Sequence, residues 1–248
     1  MRLAPAHVHR QLVDEASRIY RKAGRFAYHF ARGKLGGDPM FRAMLERGLI
    51  PDRARILDLG CGQGLLAAWL LTARRRYEAG SWPDTWPAPA QPAEIRGVDM
   101  LESDIRRART ALGAAARYEE GDMREVDFGQ ADLVVIMDVL HYVDFAAQHE
   151  VLRRVRDALP PDGLLLTRIG DAGAGLGFRL SNWVDRSVAF FRGNRLPPQH
   201  CRPLPDWVRM LAALGFAVEA VSMNGNLPFA NVMLIARRSP PSPGRDVC

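Results

Sequence analysis

The sequence predicts an α/β protein whose mostly parallel sheet is covered by helices on both faces. Three observations lead to this expectation. Strand-like apolar segments alternate with amphipathic helical segments, which is the pattern of βαβ units. One segment, "ADLVVIMD", is almost uninterrupted in its apolar character, as strands are when both of their faces are covered. Another, "ILDLGCGQG" at Ile56–Gly64, runs from a strand directly into three alternate glycines.

The chain has the length and composition of a globular α/β domain. Its 248 residues are 48% hydrophobic and 25% charged, which is ample for one large core. No apolar run reaches the roughly 18 to 20 residues that span a bilayer, and the first residues lack the apolar stretch of a signal peptide. The cysteines Cys61, Cys201 and Cys248 are widely spaced, which argues against a disulfide framework and a cysteine zinc site. We expect a cytoplasmic protein.

Basic residues are concentrated in the first part of the chain. Residues 1–76 hold 15 Lys and Arg against 6 Asp and Glu. Two interpretations stay open: a solvated helix face, or a surface that attracts an anionic substrate or an acidic protein partner. Basic and aromatic residues are not interleaved as they are in RNA-binding modules, so nucleic acid is not the expected partner.

A helical extension is predicted over residues 1–53, ahead of the first strand. Apolar residues recur at helical spacing from Ala6 to Ala23. A second, short helix is predicted to begin at Asp38-Pro39, because proline fits the first helical turn, and to end at Gly48.

The core domain is predicted over residues 54–238. Helices are predicted after its first, second and fourth strands. Ser103 or Asp104 is expected to cap the second of these helices, and Pro160 ends the third. The strand segments are "RILDLG", "AEIRGVD", "ARYEEGD", "ADLVVIMD" and "GLLLTRI", followed after an insertion by the helix "PDWVRMLAALGF" and the strands "AVEAVSM" and "NVMLIARR".

Two insertions interrupt this order. The first, Glu78–Ala93, is rich in proline and tryptophan and is predicted to be a surface loop. The second, residues 171–204, follows the fifth strand and is predicted to be a substrate lid with an amphipathic helix at Phe178–Phe191. The tail, residues 239–248, is expected to be disordered.

The glycine loop points to a nucleotide-like ligand of a particular kind. A strand, a glycine loop and a helix together let a ligand approach the main chain at a helix N-terminus. The glycines stand at positions 60, 62 and 64, whereas the dinucleotide fingerprint would need a glycine at Leu65. The acid Asp58 precedes the loop, and a carboxylate there suits a cationic ligand better than a phosphate.

The segment "LDLGCGQG" resembles the first motif of class I S-adenosylmethionine (SAM)-dependent methyltransferases. The resemblance implies a Rossmann-like, seven-stranded sheet with one antiparallel strand. It implies SAM as cofactor and S-adenosylhomocysteine as product. The loop residues that it assigns to the cofactor are Asp58, Gly60, Cys61, Gly62 and Gly64.

Later strand ends supply the other residues that the resemblance assigns to the cofactor. Asp99 would accept hydrogen bonds from the ribose hydroxyls, with Met100 beside the adenosine; a helix cap is the alternative for Asp99. Asp122 would contact the adenine amino group, with Met123 against the ring or else in the core. Asp138 follows the fourth strand, where cofactor and acceptor meet in this family.

Chemistry with SAM is an in-line displacement, and a hydroxyl acceptor also benefits from a base. His141, just past the fourth strand, is the candidate, either as base or as a residue that positions the substrate or a loop. His29 and His200 are weaker candidates that are expected to be structural. No metal-ligand spacing stands out, so no catalytic metal is expected.

The acceptor is expected between the extension and the lid. Tyr28, His29, Trp183 and Arg186 are the candidate substrate residues, because aromatic groups with basic edges suit a hydrophobic acid or a phenol, free or on an acyl carrier protein. Core aromatics beside a solvated arginine face are the alternative. The segments "GRFAYHFARGKLGGDP" and "GNRLPPQHCRPL" also resemble methyltransferases of bacterial aryl-polyene pigment clusters, which implies an aromatic head group as acceptor.

Three other functions are alternatives to small-molecule methyl transfer. Nucleic-acid amino-methyltransferases usually carry an N/D-P-P-Y-like tetrad after the fourth strand, where this chain has "DVLH". A SAM-binding protein without catalysis stays open, since the motif residues speak for binding alone. A nicotinamide oxidoreductase does not fit the glycine spacing.

Overall fold

The computed structural model describes residues 4–173, 199–223 and 231–240. The chain divides into two compact units, Met1–Asp127 and Phe128–Cys248. The predicted lid helix and most of the predicted tail lie outside the described residues. The predicted boundaries at residues 53 and 238 stay a prediction.

The first unit begins with the predicted helical extension. Helix α1 (Pro5–Arg18) leads into a 3₁₀ segment (Ile19–Ala23), so the predicted single helix tightens in its last turn. Helix α2 (Arg25–Gly37) and helix α3 (Pro39–Glu46) follow. The predicted start of α3 is confirmed: the Met40 N–H donates to the Asp38 carboxylate at 3.0 Å.

Three parallel strands form the sheet of the first unit. They are β1 (Arg55–Leu59), β2 (Glu94–Asp99) and β3 (Arg117–Glu120). Leu59 pairs with Val98, and Asp99 pairs with Glu120, so the three strands end along one edge. Helix α4 (Leu65–Glu78) leads from β1 towards β2, and helix α5 (Glu102–Leu112) leads from β2 towards β3.

Four strands and two helices form the described part of the second unit. Strand β4 (Leu133–Met137) is parallel to β5 (Leu164–Gly170), with helix α6 (Phe145–Ala158) between them in the chain. After helix α7 (Leu204–Ala213), β6 (Phe216–Ser222) and β7 (Asn231–Arg238) pair antiparallel, and β7 also runs antiparallel to β5. The strand order is β3-β2-β1 in the first unit and β4-β5-β7-β6 in the second, which agrees with the predicted mixed, seven-stranded α/β fold.

The predicted side-chain cap of α5 is wrong. Leu101 precedes the helix and no side chain caps it; Ser103 and Asp104 both lie inside the first turn. Asp104 is buried and pairs with Arg107, while its negative charge also favours the helix N-terminus. The carboxylate of Asp99, upstream of the helix, accepts the Leu101 N–H at 2.9 Å and fixes the turn instead.

The proline- and tryptophan-rich loop is more ordered than a surface loop needs to be. Trp82 and Trp86 are both buried, with their rings edge to face at 5.4 Å. The Trp82 indole N–H donates to the Pro87 carbonyl at 2.9 Å. The loop therefore folds around its own apolar cluster.

Candidate functional site

The glycine loop leaves β1 with its main chain open on one side. Gly60, Gly62 and Gly64 all have positive φ angles, which favour glycine. The N–H of Gly60 donates to Val98 O at 2.8 Å and joins the loop to β2. A Cβ on Gly62 would meet nothing within 4 Å among the residues that the structure describes. This face is therefore a cradle that a ligand can approach closely.

Gly64 is bare for a different reason. A Cβ there would clash with the Tyr118 hydroxyl and lie 3.0 Å from Leu112. Cys61 is likewise turned inward: its side chain is buried, and a Cβ on Gly97 would lie 2.8 Å from its sulfur. Gly64 and the Cys61 thiol thus serve packing, so any contact of Cys61 with a ligand would use its main chain. No local pattern in the sequence pointed to this contact of Tyr118.

Asp58 is a buried carboxylate next to this cradle in the chain. The residue lies near the end of β1, and only 3% of its surface is exposed. Burial and, to a smaller extent, the charge of Asp99 together raise the pKa of Asp58 to about 7. A cation bound nearby would reverse this effect and ionise the carboxyl group.

Asp99 ties the cradle to the end of β2. Its two oxygens accept the N–H groups of Gly62 at 2.8 Å and of Leu101 at 2.9 Å. A carboxylate accepts hydrogen bonds at two adjacent oxygens, which is the chemistry that a vicinal diol requires. Met100 beside it is 58% exposed, unusual for a large apolar side chain.

Asp122 and Met123 lie just past β3. Asp122 accepts both the side chain and the N–H of Arg124, and the Arg124 guanidinium lowers its pKa. An ionised carboxylate can accept a hydrogen bond from an amino group. Met123 is buried. The partner Arg124 was missed at the sequence level, because a lone arginine in a loop gives no signal.

Two residues that sequence reasoning missed connect the extension to the glycine loop. Gln63, fully buried, donates from Nε2 to the Ala27 carbonyl at 2.8 Å. Tyr20 is also fully buried, and besides burial the charges of Cys61 and Asp58 raise its pKa. The extension therefore packs against the loop that carries the motif. Position 63 lies inside the motif, but its side-chain role follows only from the fold.

The candidate substrate residues of the first unit lie in the extension and face solvent to different degrees. The Arg21 guanidinium lies 5.0 Å from the ring centre of Tyr28, and its hydrogen bond lowers the pKa of that phenol. His29 is exposed, with its ring 5.0 Å from Tyr28. The other two candidates, Trp183 and Arg186, lie outside the described residues.

The second unit places Asp138 directly after β4. It has a φ of 60°, a left-handed conformation that aspartate tolerates better than most residues. Its carboxylate forms an ion pair with Arg168 of β5, which is itself buried. Any contact of Asp138 with the cofactor would therefore have to share the carboxylate with this guanidinium.

His141 lies in a short 3₁₀ segment, Leu140–Tyr142, beyond Asp138. Burial lowers the pKa of His141 to about 4, so the imidazole is neutral at pH 7. Its Nε2 is buried without a hydrogen-bond partner in the described ranges. The N–H of His200 donates to the His141 carbonyl at 2.8 Å. This contact uses the main chain of His200, and the structural role of its imidazole stays a prediction.

A small cleft of about 10 Å³, room for about one water molecule, opens beside His141. Its walls come from the 3₁₀ segment, β5, the start of α7 and the chain before it. The lining residues are Leu140, His141, Arg168, Ile169, Gly170, Cys201 and Trp207.

The described residues also bear on metals and membranes. Within residues 4–173, 199–223 and 231–240, His, Cys, Asp and Glu form no group of three or more that could hold a metal ion. No helix in those ranges is both long and apolar enough to cross a membrane.

The chain is similar to methyltransferases in sequence and in fold. The model of a methyltransferase domain family matches residues 29–221. Carboxy-S-adenosyl-L-methionine synthase of Chromohalobacter salexigens is 31% identical over 129 residues, which are 48% of this chain and 43% of that protein. The chain thus spans less than half the length of this curated relative.

Two solved structures show the same fold. Human N-acetylserotonin methyltransferase, in complex with SAM, aligns with a TM-score of 0.59 at 16% identity over 92% of this chain and 59% of its own. Magnesium protoporphyrin IX methyltransferase of Synechocystis, with bound S-adenosylhomocysteine, gives 0.55 at 18% identity over 91% and 94%. The predicted Rossmann-like fold is confirmed. Because the family match covers well over half of the sequence, the chain belongs to the methyltransferase domain family.

Proposed function

We propose that this chain transfers the methyl group of SAM to a small aromatic or hydrophobic acceptor. The observation that carries the proposal is the edge where β1, β2 and β3 end. There the Gly62 N–H donates to the Asp99 carboxylate, and a ligand can approach the Gly62 main chain closely. Buried Asp58 lies just before the loop, separated from Gly60 by Leu59. An open backbone with carboxylates beside it fits a cationic ligand that carries a diol.

Each residue of this edge has a distinct binding role in the proposal. The cradle at Gly62 receives the amino-acid end of the cofactor, and the charge of that end favours ionised Asp58. Asp99 accepts the ribose hydroxyls, for which the two oxygens of a carboxylate have the right chemistry. Asp122 accepts the adenine amino group, between the apolar surfaces of Met100 and Met123.

Bound SAM supplies an electrophilic methyl group on a sulfonium, and S-adenosylhomocysteine is the leaving group. The residues of this chain mainly bind and align the two reactants, which supplies a large part of such rate enhancements. His141 fits alignment better than strong base catalysis, because a base with a pKa of about 4 has little driving force for proton abstraction at pH 7.

The acceptor class rests on fewer observations. The basic excess of residues 1–76 supports an acidic or carrier-bound acceptor. Tyr28 and His29 present aromatic rings on the extension, in agreement with an aromatic acceptor. An acyl carrier protein as partner and a place in aryl-polyene synthesis belong to this proposal as well.

Calorimetry on the full chain tests the proposal. SAM and S-adenosylhomocysteine should bind, whereas NADPH should not. Asp99→Ala should weaken SAM binding by about tenfold or more, since hydrogen bonds to a charged group are lost. The matched control is Asp157→Ala, which removes an exposed carboxylate paired with Arg153. NADPH binding without SAM binding would overturn the proposal, and normal affinity in the Asp99 variant would remove its ribose role.

Synthesis of carboxy-SAM is a second candidate, favoured by the name of the curated relative. The products separate the two reactions. Methyl transfer yields S-adenosylhomocysteine. The synthase reaction would instead take a carboxyl group from a second, carboxylic acid substrate and yield a SAM heavier by that group, and mass spectrometry distinguishes the two products. Methylation of RNA, or SAM binding without any product, would instead favour the two rival functions.

A further inference from the structure

The outer surface of the helical extension carries a strip of positive charge. This basic strip consists of Arg18, Arg21, Lys22 and Arg25, and all four residues are exposed. The first three are three and four residues apart, which is the spacing of neighbours on a helix surface. Arg25 follows as the first residue of α2. Residues 16–37 hold six Lys and Arg but no Asp or Glu.

No carboxylate among the described residues forms an ion pair with the basic strip. Asp14, which precedes it, pairs with Arg32. The neighbouring Glu15 pairs with Arg76 at 2.6 Å. By contrast, each of the helices α2 to α5 has an arginine in an ion pair. The basic strip therefore differs from these helix surfaces in that its charge is not balanced.

Local stability does not account for these charges. Arg25 lies in the first turn of α2, which holds no acidic residue, and a positive charge is unfavourable at a helix N-terminus. The Arg21 guanidinium lies 5.0 Å from the ring centre of Tyr28, a contact that does not neutralise it. Like charges at such short spacing also repel one another. An anionic partner would relieve this repulsion.

The surroundings of the basic strip favour a short acidic protein segment over a membrane or a nucleic acid. The strip is eight residues long, from 18 to 25, which corresponds to about two helical turns. Phe26 beside it is 47% exposed, but its ring already packs against the Arg107 guanidinium and the Phe30 ring. It is therefore poorly suited to insert into lipid. Arg107 in turn pairs with Asp104, so the unbalanced charge does not extend along α5 as a long phosphate backbone would require.

The inner side of the same stretch packs against the glycine loop. Tyr20 is fully buried there, and burial together with the charges of Cys61 and Asp58 raises the pKa of its phenol. The Gln63 side chain donates to the Ala27 carbonyl at 2.8 Å. One helical layer thus separates the basic strip from the loop that carries the motif.

We infer that the basic strip is the docking surface for an acidic protein segment, a helix that presents carboxylates along one face and belongs to the partner that carries the methyl acceptor. Carboxylates at helical spacing would meet cations at helical spacing, and arginine binds them in a bidentate manner. A partner docked there would hold its acceptor within one helical layer of the proposed cofactor site. The inference rests on the proposed methyl transfer only in that the partner carries the acceptor.

Cross-linking of the full chain to an acidic peptide tests the inference. The probe is an alanine-based peptide of about 20 residues, long enough to be helical alone, with glutamates along one face. The chain has two lysines, Lys22 in the basic strip and Lys34, and Lys34 already pairs with Asp38 at 3.1 Å. Carbodiimide joins a carboxylate to an amine that it touches, so peptide mapping should find the link at Lys22. A link mainly at Lys34 or at the N-terminal amine would overturn the inference.

Fluorescence anisotropy of the labelled peptide at low salt measures the affinity. Arg18→Gln/Arg25→Gln should weaken binding roughly fivefold, the effect of two exposed ion pairs. Arg153→Gln/Arg156→Gln is the matched control, because it removes the same charge from exposed positions of the other unit. It should leave the affinity unchanged, and an equal loss in the two variants would contradict a defined docking surface.

Other probes decide the class of partner. A peptide of the same composition, with its glutamates spread around the helix, should bind more weakly than the probe. Equal affinity would mean attraction by net charge alone. Tighter binding of phosphatidylserine vesicles would mean a membrane surface, tighter binding of a thymidine oligonucleotide would mean a nucleic-acid surface, and no binding of the peptide would mean a solvated helix face. Each of these results would overturn the inference.

The two proposals can fail separately. SAM calorimetry tests methyl transfer without the peptide, and the peptide titration uses neither SAM nor turnover. Binding of SAM without binding of the peptide would reject the docking surface alone. Binding of the peptide without binding of SAM would reject methyl transfer and leave the docking surface in place.

Discussion

Replacing Asp58 with asparagine should remove most of the pH dependence of SAM binding between pH 6 and 8. In the unliganded protein, burial raises the pKa of Asp58 to about 7. The cationic amino-acid end of SAM favours the ionised carboxylate, so binding lowers this pKa and releases a proton. Affinity is therefore full above pH 7 and is lost as the pH falls through 7.

The size of the effect follows from the protonated fraction. With a pKa of about 7 when free and well below 6 when bound, about one site in eleven is ionised at pH 6 and nearly all are at pH 8. Affinity should thus fall about tenfold from pH 8 to pH 6, or about 1.4 kcal/mol. The asparagine variant should lose affinity at pH 8 but show little of this slope.

Calorimetry measures both the affinity and the released proton. At pH 6.5, the apparent binding enthalpy of the wild type should depend on the ionisation enthalpy of the buffer. The amino group of the ligand, with a usual pKa of about 7.7 to 8.0, titrates equally in both proteins. The variant is therefore the control for the ligand's own titration. Equal pH slopes in the wild type and Asp58→Asn would refute the reasoning.

Three further predictions concern stability, the loop and the pH profile. The folded-state pKa of Asp58 is raised from 3.8 to about 7, so the wild type without ligand should lose on the order of 4 kcal/mol of unfolding free energy as the pH rises from 4 to 8. Urea unfolding at several pH values should show a flatter dependence of stability on pH for Asp58→Asn. Identical dependences in the two proteins would contradict this. Gly64→Ala should destabilise the fold by about 2 kcal/mol or more, because the new Cβ meets Tyr118. Gly62→Ala should cost about 1 to 2 kcal/mol of backbone strain and should chiefly weaken SAM binding. Equal unfolding midpoints for the two variants would reject this contrast. The rate at saturating substrate should show no inflection near pH 6.5 from His141, whose pKa is about 4, and an inflection that disappears in His141→Asn would show that the imidazole titrates normally.

The strands and the glycine loop were predictable because their signals are local. A continuous apolar run such as Leu133–Met137 indicates a buried strand. Alternate glycines directly after β1 indicate a loop with positive φ angles. The cap of α5 was not predictable in this way. Ser103 and Asp104 have the right chemistry, but the carboxylate that fixes the turn belongs to Asp99, which also holds the glycine loop. One side chain thus serves two segments, and only the fold shows which.

The glycines themselves show where sequence reasoning stops. Alternate spacing assigns all three to a ligand, yet the space around Gly62 is open while that around Gly64 is filled by Tyr118 from β3. The difference depends on a partner 54 positions away in the chain, which no local pattern contains. A motif therefore indicates the ligand class, while the different roles of its glycines follow from the packing around each of them.

The helical extension packs against the glycine loop and influences Asp58. Its predicted boundary at residue 53 separates segments that the structure packs into one compact unit. Gln63 of the motif donates to Ala27 of the extension, and Tyr20 is buried close enough for Asp58 to raise its pKa. The low-dielectric surroundings that raise the pKa of Asp58 thus come in part from the extension. The ionisation that SAM binding is expected to drive depends on residues that lie before the motif in the chain.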